Sequence, residues 1–237
     1  KYYNIINMID KDNKFLYVFV TLVGIFIIYK YFLNKAQDVT YVKSNINNKS
    51  YLVRNLPDKK KAANLLAQMN NRFDKLIDYL KSKDNFYLYK KYVIKNENLT
   101  LEDLENSEAT NEEYKKFNTD IKRLIKNYNP DALSENTPDS KFTSYSENKG
   151  QKIVFCIRSK TTNKIVKLNT IMFVALHEFA HLMTKSIGHT DEFWENFRIL
   201  LRIAILNKLY NCKNYHESGQ DYCGMKITDT PLKCEDV

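Results

Sequence analysis

Residues 15–29, FLYVFVTLVGIFIIY, carry no charge, and with Lys30, Tyr31, Phe32 and Leu33 they make a 19-residue apolar run with one interruption. A helix rises about 1.5 Å per residue, so this run just spans the hydrocarbon core of a bilayer. A buried helix of a soluble core would show a polar face, and this run has none. A secretory leader would have a shorter apolar stretch, followed by small residues at a cleavage site, and neither feature is present. The run is therefore read as a membrane anchor in contact with the lipid bilayer through residues 15–33. Tyr17, Tyr29 and Tyr31 would lie near the interfaces, and Lys30 would snorkel toward the headgroups. Lys1, Lys11 and Lys14 on one side nearly balance Lys30, Lys35 and Lys43 on the other, so the charge rule sets no orientation. The chain opens at Lys1 rather than Met, and its true N-terminus is expected to be missing.

The remainder of the 237 residues is enough for one further domain of ordinary size. Gly (5) and Pro (4) are too scarce for a collagen-like or low-complexity chain. The net charge of +9 would ordinarily raise the question of nucleic acid. However, the cations are 31 Lys against 6 Arg, accompanied by 27 Asn, as in an AT-rich coding sequence. Arg is the residue suited to bidentate phosphate and base contacts, so a nucleic-acid partner is not expected.

After the anchor, residues 40–54 alternate loosely around an Asn-Asn-Lys turn and read as a β-hairpin. A helix starts near Asn55-Leu-Pro57-Asp58. Ala62, Leu65, Leu66, Met69, Phe73, Leu76, Ile77 and Leu80 then fall on one of its faces. Residues 84–95 are ambiguous. Residues 96–114 hold seven acidic residues and no Lys or Arg, and read as a solvated connection. Residues 115–128 read as a helix, and a loop with Pro130 and Pro138 follows. Residues 141–168 read as a β-meander: a short strand at 143–146, a turn through Asn148-Lys149-Gly150, a strong strand at 152–158, a turn at 161–164 and a last strand at 165–168. Asn169 or Thr170 would cap the next helix.

That helix carries the chemistry. Three of the four His lie within thirteen residues, in VALHEFAHLMTKSIGHTDEFWENF: His177, His181 and His189. His177 and His181 are four apart, so both imidazoles project from one helix face, as two ligands of one zinc ion must. Glu178, beside the first of them, can hold and deprotonate a metal-bound water without being a ligand. Gly188 would end the helix, and Thr190 would cap a second one with Asp191 and Glu192 in its first turn. His189 would then lie at the elbow and swing back as the third ligand, leaving one position open. Glu192, Glu195 and His216 compete for that third place.

HExxH followed by Gly-His and Phe-Trp resembles the zincin metalloproteases of the WLM and SprT-like families, over about residues 141–210. In the WLM pattern fewer residues separate the second and third His, and Gly-Pro often precedes the third. Here seven intervene and Ile187-Gly188 stands in that place. The composition, the anchor, the VFCIR strand and the Tyr-Cys-Gly-Met segment at 222–225 resemble proteases of this kind encoded by large DNA viruses. The resemblance implies a zinc cofactor, peptide hydrolysis with Glu178 as general base, and extended substrate pairing along residues 152–158. Tyr145, Tyr215, His216 and Tyr222 are candidates for stabilising the oxyanion. It also implies a single-pass protein of a viral inner membrane with virion proteins as partners. Two alternatives stay open: a membrane-bound structural virion protein whose zinc site is idle or structural, and a protease acting on DNA-bound proteins.

Cys156 reads as a buried thiol in a strand. Cys212, Cys223 and Cys234 recur every eleven residues near His216. They read as ordinary thiols in a tail, with a second zinc site (with His216) or a disulfide as alternatives. Asn48 and Asn98 begin glycosylation sequons, usable only if the domain is lumenal. The expected fold is α+β. A membrane anchor at 1–39 precedes a zincin-like domain at 40–237, with a helical part at 40–140, a catalytic core of small antiparallel sheet and HExxH helix at 141–210, and a Cys-containing tail at 211–237.

Overall fold

A computed structural model describes residues 2–148 and 150–237, with the side chains of 2–15 and 34–37 left aside. Lys1, the side chains of Lys11, Lys14 and Lys35, and the turn residue Lys149 thus lie outside the described part. The chain forms two compact units, residues 1–40 and 41–237.

The first unit is helix α1 (Tyr2–Gln37). Its stretch Leu16–Leu33 has a mean hydropathy of 2.1 over 18 residues, long and apolar enough to cross a membrane. From Leu16 to Leu33 its large apolar side chains stand exposed.

The second unit is a mixed α+β domain. Strands β1 (Val39–Lys43) and β2 (Ser50–Arg54) form the expected hairpin, closed by Ser44 N–H donating to the Lys49 carbonyl at 2.8 Å. Helix α2 (Lys59–Ser82) buries the predicted stripe from Ala62 to Leu80. Residues 84–95 resolve into helix α3 (Asn85–Tyr89) and a π-helical turn, Lys90–Ile94.

The acidic segment 96–114 is not a mere connection. It forms helix α4 (Leu101–Glu105), held by a capping box between Thr100 and Asp103, and the start of helix α5 (Glu108–Asn127), capped by Ser107. Local capping chemistry outweighs the lack of a long apolar stripe, and Leu104 is buried.

The sheet has the order β1-β2-β3-β5-β4, with β3 at Leu133–Glu135, β4 at Ser144–Glu147 and β5 at Lys152–Phe155. β3 falls inside the expected Pro130–Pro138 loop. It runs parallel to both β2 and β5, so the sheet is mixed rather than antiparallel. β4 pairs antiparallel with β5 in the register Ser144↔Phe155 to Glu147↔Lys152. Of the expected last strand, only a bridge between Arg158 and Ile165 forms. The β4–β5 turn ends on Gly150 at φ +106, where a Cβ would lie 2.3 Å from the Asn127 carbonyl oxygen, so only glycine fits.

Buried Arg158 ties the sheet to α2. Its Nε donates to Glu135 at 2.6 Å and its Nη1 to Asp58, the residue before α2, at 2.7 Å. Helix α6 (Leu168–Met183) lies in the core, against α2 through Phe73 and Phe179, whose rings are 4.3 Å apart. Helix α7 (Asp191–Leu206) packs on α6. A hairpin of β6 (Gln220–Tyr222) and β7 (Met225–Ile227) follows, and after it a short 3-10 turn at Cys234–Asp236.

Candidate metal centre and cleft

α6 is apolar nearly all round, and Ile171, Met172, Ala175, Leu176, Phe179 and Ala180 are buried. The face carrying Phe173, Val174, His177, Glu178 and His181 opens to a cleft of about 830 Å³. Pairs three and four apart, Val174 with His177 and Glu178, and His181 with both of them, keep these side chains on one side of a helix that the core holds fixed. α6 starts two or three residues earlier than expected. Lys167 precedes it, and Asn169 instead bonds the backbone of Asn211 from both ends of its amide, at 2.8 and 2.9 Å. It also ends earlier, at Met183 rather than at Gly188. Arg123 donates to the Met183 carbonyl at 2.7 Å, and Asn196 donates to the hydroxyl of Thr184 at 3.0 Å.

Gly188, at φ +88, sits in the turn that follows and leads into His189. Glu192 builds this turn. Its carboxylate accepts from the backbone N–H of Lys185 (3.1 Å) and Ser186 (3.3 Å) and from the Ser186 hydroxyl (2.7 Å). Burial works against its charge, but those hydrogen bonds hold its carboxyl below the usual range. Thr190 caps α7, accepting from Phe193 N–H at 3.4 Å.

The turn brings His189 back over α6. One ring nitrogen from each of His177, His181 and His189 lies within 4.8 Å of the others, and the Nε2 atoms of His177 and His189 are 3.0 Å apart. The buried Phe193 ring underlies all three, with centroids 4.8, 4.3 and 4.7 Å away. The other candidates for the third place are engaged elsewhere: Glu192 in the turn, Glu195 with Arg198 at 3.1 Å, and His216 with Asp229 at 2.6 Å.

Electrostatics fit a divalent cation. Burial, reinforced by its two imidazole neighbours, pushes His177 down to about 3, so at neutral pH it keeps a lone pair to donate. Glu178 is only 6% exposed, and burial pushes its carboxyl up to about 7. Three converging nitrogen donors with a nearby carboxylate are a donor set suited to zinc.

Edge strand β4 and the β6–β7 hairpin wall the cleft, through residues that include Ser144, Tyr145, Tyr222 and Met225. β5 (Lys152–Phe155) lies between β3 and β4 and so offers no open edge to a substrate; the sheet ends on β1 and β4, and β4 is the end strand that lines the cleft. Of the oxyanion candidates, Tyr145 and Tyr222 line the cleft, and the Tyr222 hydroxyl shares a 2.7 Å hydrogen bond with Ser144 Oγ. Tyr215 is buried against Phe173, and His216 lies outside the lining.

The cysteines differ from expectation. Cys156 is bonded to Cys223 and Cys212 to Cys234, so no thiol is free and no second zinc site forms from Cys212, His216, Cys223 and Cys234. Cys223 and Gly224 both take positive φ at the tip of the hairpin, as a two-residue turn of this hand requires. The tail is therefore a wall of the cleft, fastened to the end of β5.

Residues 93–235 match the WLM domain, and the chain belongs to this metalloprotease-like family. Among particular proteins, it is 36% identical over 206 residues to an uncharacterized protein of Acanthamoeba polyphaga mimivirus, covering 86% of this chain and 90% of that one. It is also 41% identical over 78 residues to an uncharacterized protein of Invertebrate iridescent virus 3, covering 30% of this chain and 48% of the relative. No solved structure matches the chain.

Proposed function

We propose that this chain is a membrane-anchored, zinc-dependent endopeptidase of viral origin. The observation that carries the reading is the convergence of three imidazoles beside a buried carboxyl group on the floor of an open cleft. His177, His181 and His189 would hold the ion, and Glu178 would stay off it. Bound there, zinc would supply Lewis acidity to the scissile carbonyl and bring the pKa of a water down to ~7. Glu178 takes the proton of the attacking water and returns it to the leaving amine. End strand β4 would offer backbone donors and acceptors to an extended substrate. Core packing of α6 fixes the first two His, and Glu192 fixes the turn that presents the third.

Zinc content tests the site directly. One zinc per chain is expected by elemental analysis. His177→Ala is expected to abolish binding, and His189→Ala to weaken it at least about tenfold. A well-folded chain without zinc would refute the reading.

Residues 15–33 would cross the bilayer. Disulfides persist in oxidising compartments, so two of them favour placing residues 41–237 on an oxidising side. The full chain is expected to need detergent, and a chain starting at Tyr41 to stay in the supernatant on ultracentrifugation without it. Sedimentation of both alike would remove the anchor reading.

A further inference from the structure

The cleft has two chemically distinct parts. The histidines and Glu178 make one. The other is apolar and comes from three elements: Phe173 and Val174 of α6, Trp194 and Phe197 of α7, and Met225 and Ile227 of β7. The cleft mouth also concentrates large apolar side chains that a soluble surface would normally hide. Ile187 is 90% exposed, Met225 51% and Trp194 43%. Clustered exposure of this kind marks a surface built to be covered. End strand β4 lines the same cleft through Ser144, Tyr145 and Ser146, an arrangement that suits an extended chain pairing its backbone with β4 and turning a side chain into the apolar part.

We infer that the apolar part is a specificity pocket, and that the substrates are extended polypeptide segments carrying a bulky apolar residue next to the scissile bond. Met225 and Trp194 are its specificity-determining residues. This rests on the endopeptidase reading for the meaning of the scissile bond, but the selectivity of the pocket does not. Burying a Leu or Phe side chain that would otherwise face water favours binding by about 10- to 100-fold over Gly. A carboxylate there would lose its hydration without a partner and bind worse than Gly.

Trp194 is the single tryptophan of the chain and lines the cleft, so its fluorescence reports occupancy without any hydrolysis. The experiment uses the full chain in detergent, zinc-loaded and carrying Glu178→Gln so that peptides are not consumed. Blocked, tryptophan-free hexapeptides that differ only at one central position (Phe, Leu, Gly or Asp) are titrated while Trp194 emission is read. The Phe and Leu peptides are expected to shift the emission and to bind at least about tenfold tighter than Gly, with Asp weakest. Met225→Asp, at an exposed position the fold tolerates, is expected to remove most of that preference. A flat ranking, no binding, or tightest binding of the Asp peptide would overturn the inference. So would an apolar preference that Met225→Asp leaves unchanged. Cleavage by the Glu178 form is scored separately: no cleavage with the ranking intact sinks the endopeptidase reading alone, and cleavage with a flat ranking sinks the pocket alone.

Discussion

Glu178→Gln is expected to cut peptide hydrolysis at least about a hundredfold while one zinc per chain stays bound. Gln matches Glu in shape and fills the same buried place on α6, so the fold has no reason to change. What it lacks is the capacity to take a proton from water. His177, His181 and His189 remain to hold the ion, because Glu178 is not one of the three converging donors. Two results would count against this assignment. Unchanged turnover would mean that another group is the base. Loss of zinc would mean that the carboxylate is a ligand. Zinc analysis beside a fluorogenic-peptide assay separates the two. A protein whose zinc is only structural would lose nothing measurable with Gln in this position, and particle assembly would continue.

The helical stripes and the HExxH face were legible because they depend on local periodicity. Ala62 to Leu80 repeat at helical spacing and are buried, and His177 and His181 share a face because they are four apart. The place of His189 could be anticipated from Gly188 and Thr190, although the helix end itself is set by Arg123, Thr184 and Asn196. What escaped depends on partners far away along the chain. β3 is three residues long, has no alternation of its own, and exists because β2 and β5 flank it, about 80 residues before it and 20 after it. That insertion puts β5 inside the sheet and leaves β4 as the end strand at the cleft. For the same reason the sequence pointed to 152–158 when the edge is Ser144–Glu147. Helix α4 has a local signal, the Thr100-x-x-Asp103 box, hidden within a run of acidic residues. Glu192 had such a signal too: an acidic residue in the first turn of α7 also faces the free N–H groups of the preceding turn. The cysteine pairing had none, since spacing alone does not say which Cys meet in space.

Loss of the Cys156–Cys223 disulfide is expected to have the largest effect on the stability of the domain. The bond spans 67 residues of sequence, and freeing a loop of that size restores entropy to the unfolded chain worth about 4 kcal/mol. Cys212–Cys234 spans 22 residues and is worth about 3 kcal/mol on the same grounds. The double variant Cys156→Ser/Cys223→Ser is therefore expected to melt on the order of 10 °C lower, as read by circular dichroism. The two bonds should also differ in function. Cys223 sits at the tip of the β6–β7 hairpin, whose residues Tyr222, Met225 and Ile227 line the cleft, and Cys156 follows directly on β5. Cutting that bond frees the wall from the sheet and lets the bond between Tyr222 and Ser144 lapse. Hydrolysis should then fall at temperatures where the domain is still folded. Cys212 and Cys234 lie outside the cleft lining, so their double Ser variant should melt lower yet keep its activity when cold. Equal activity loss in both variants at low temperature would mean that the disulfides act only through global stability and that the hairpin holds its place unaided.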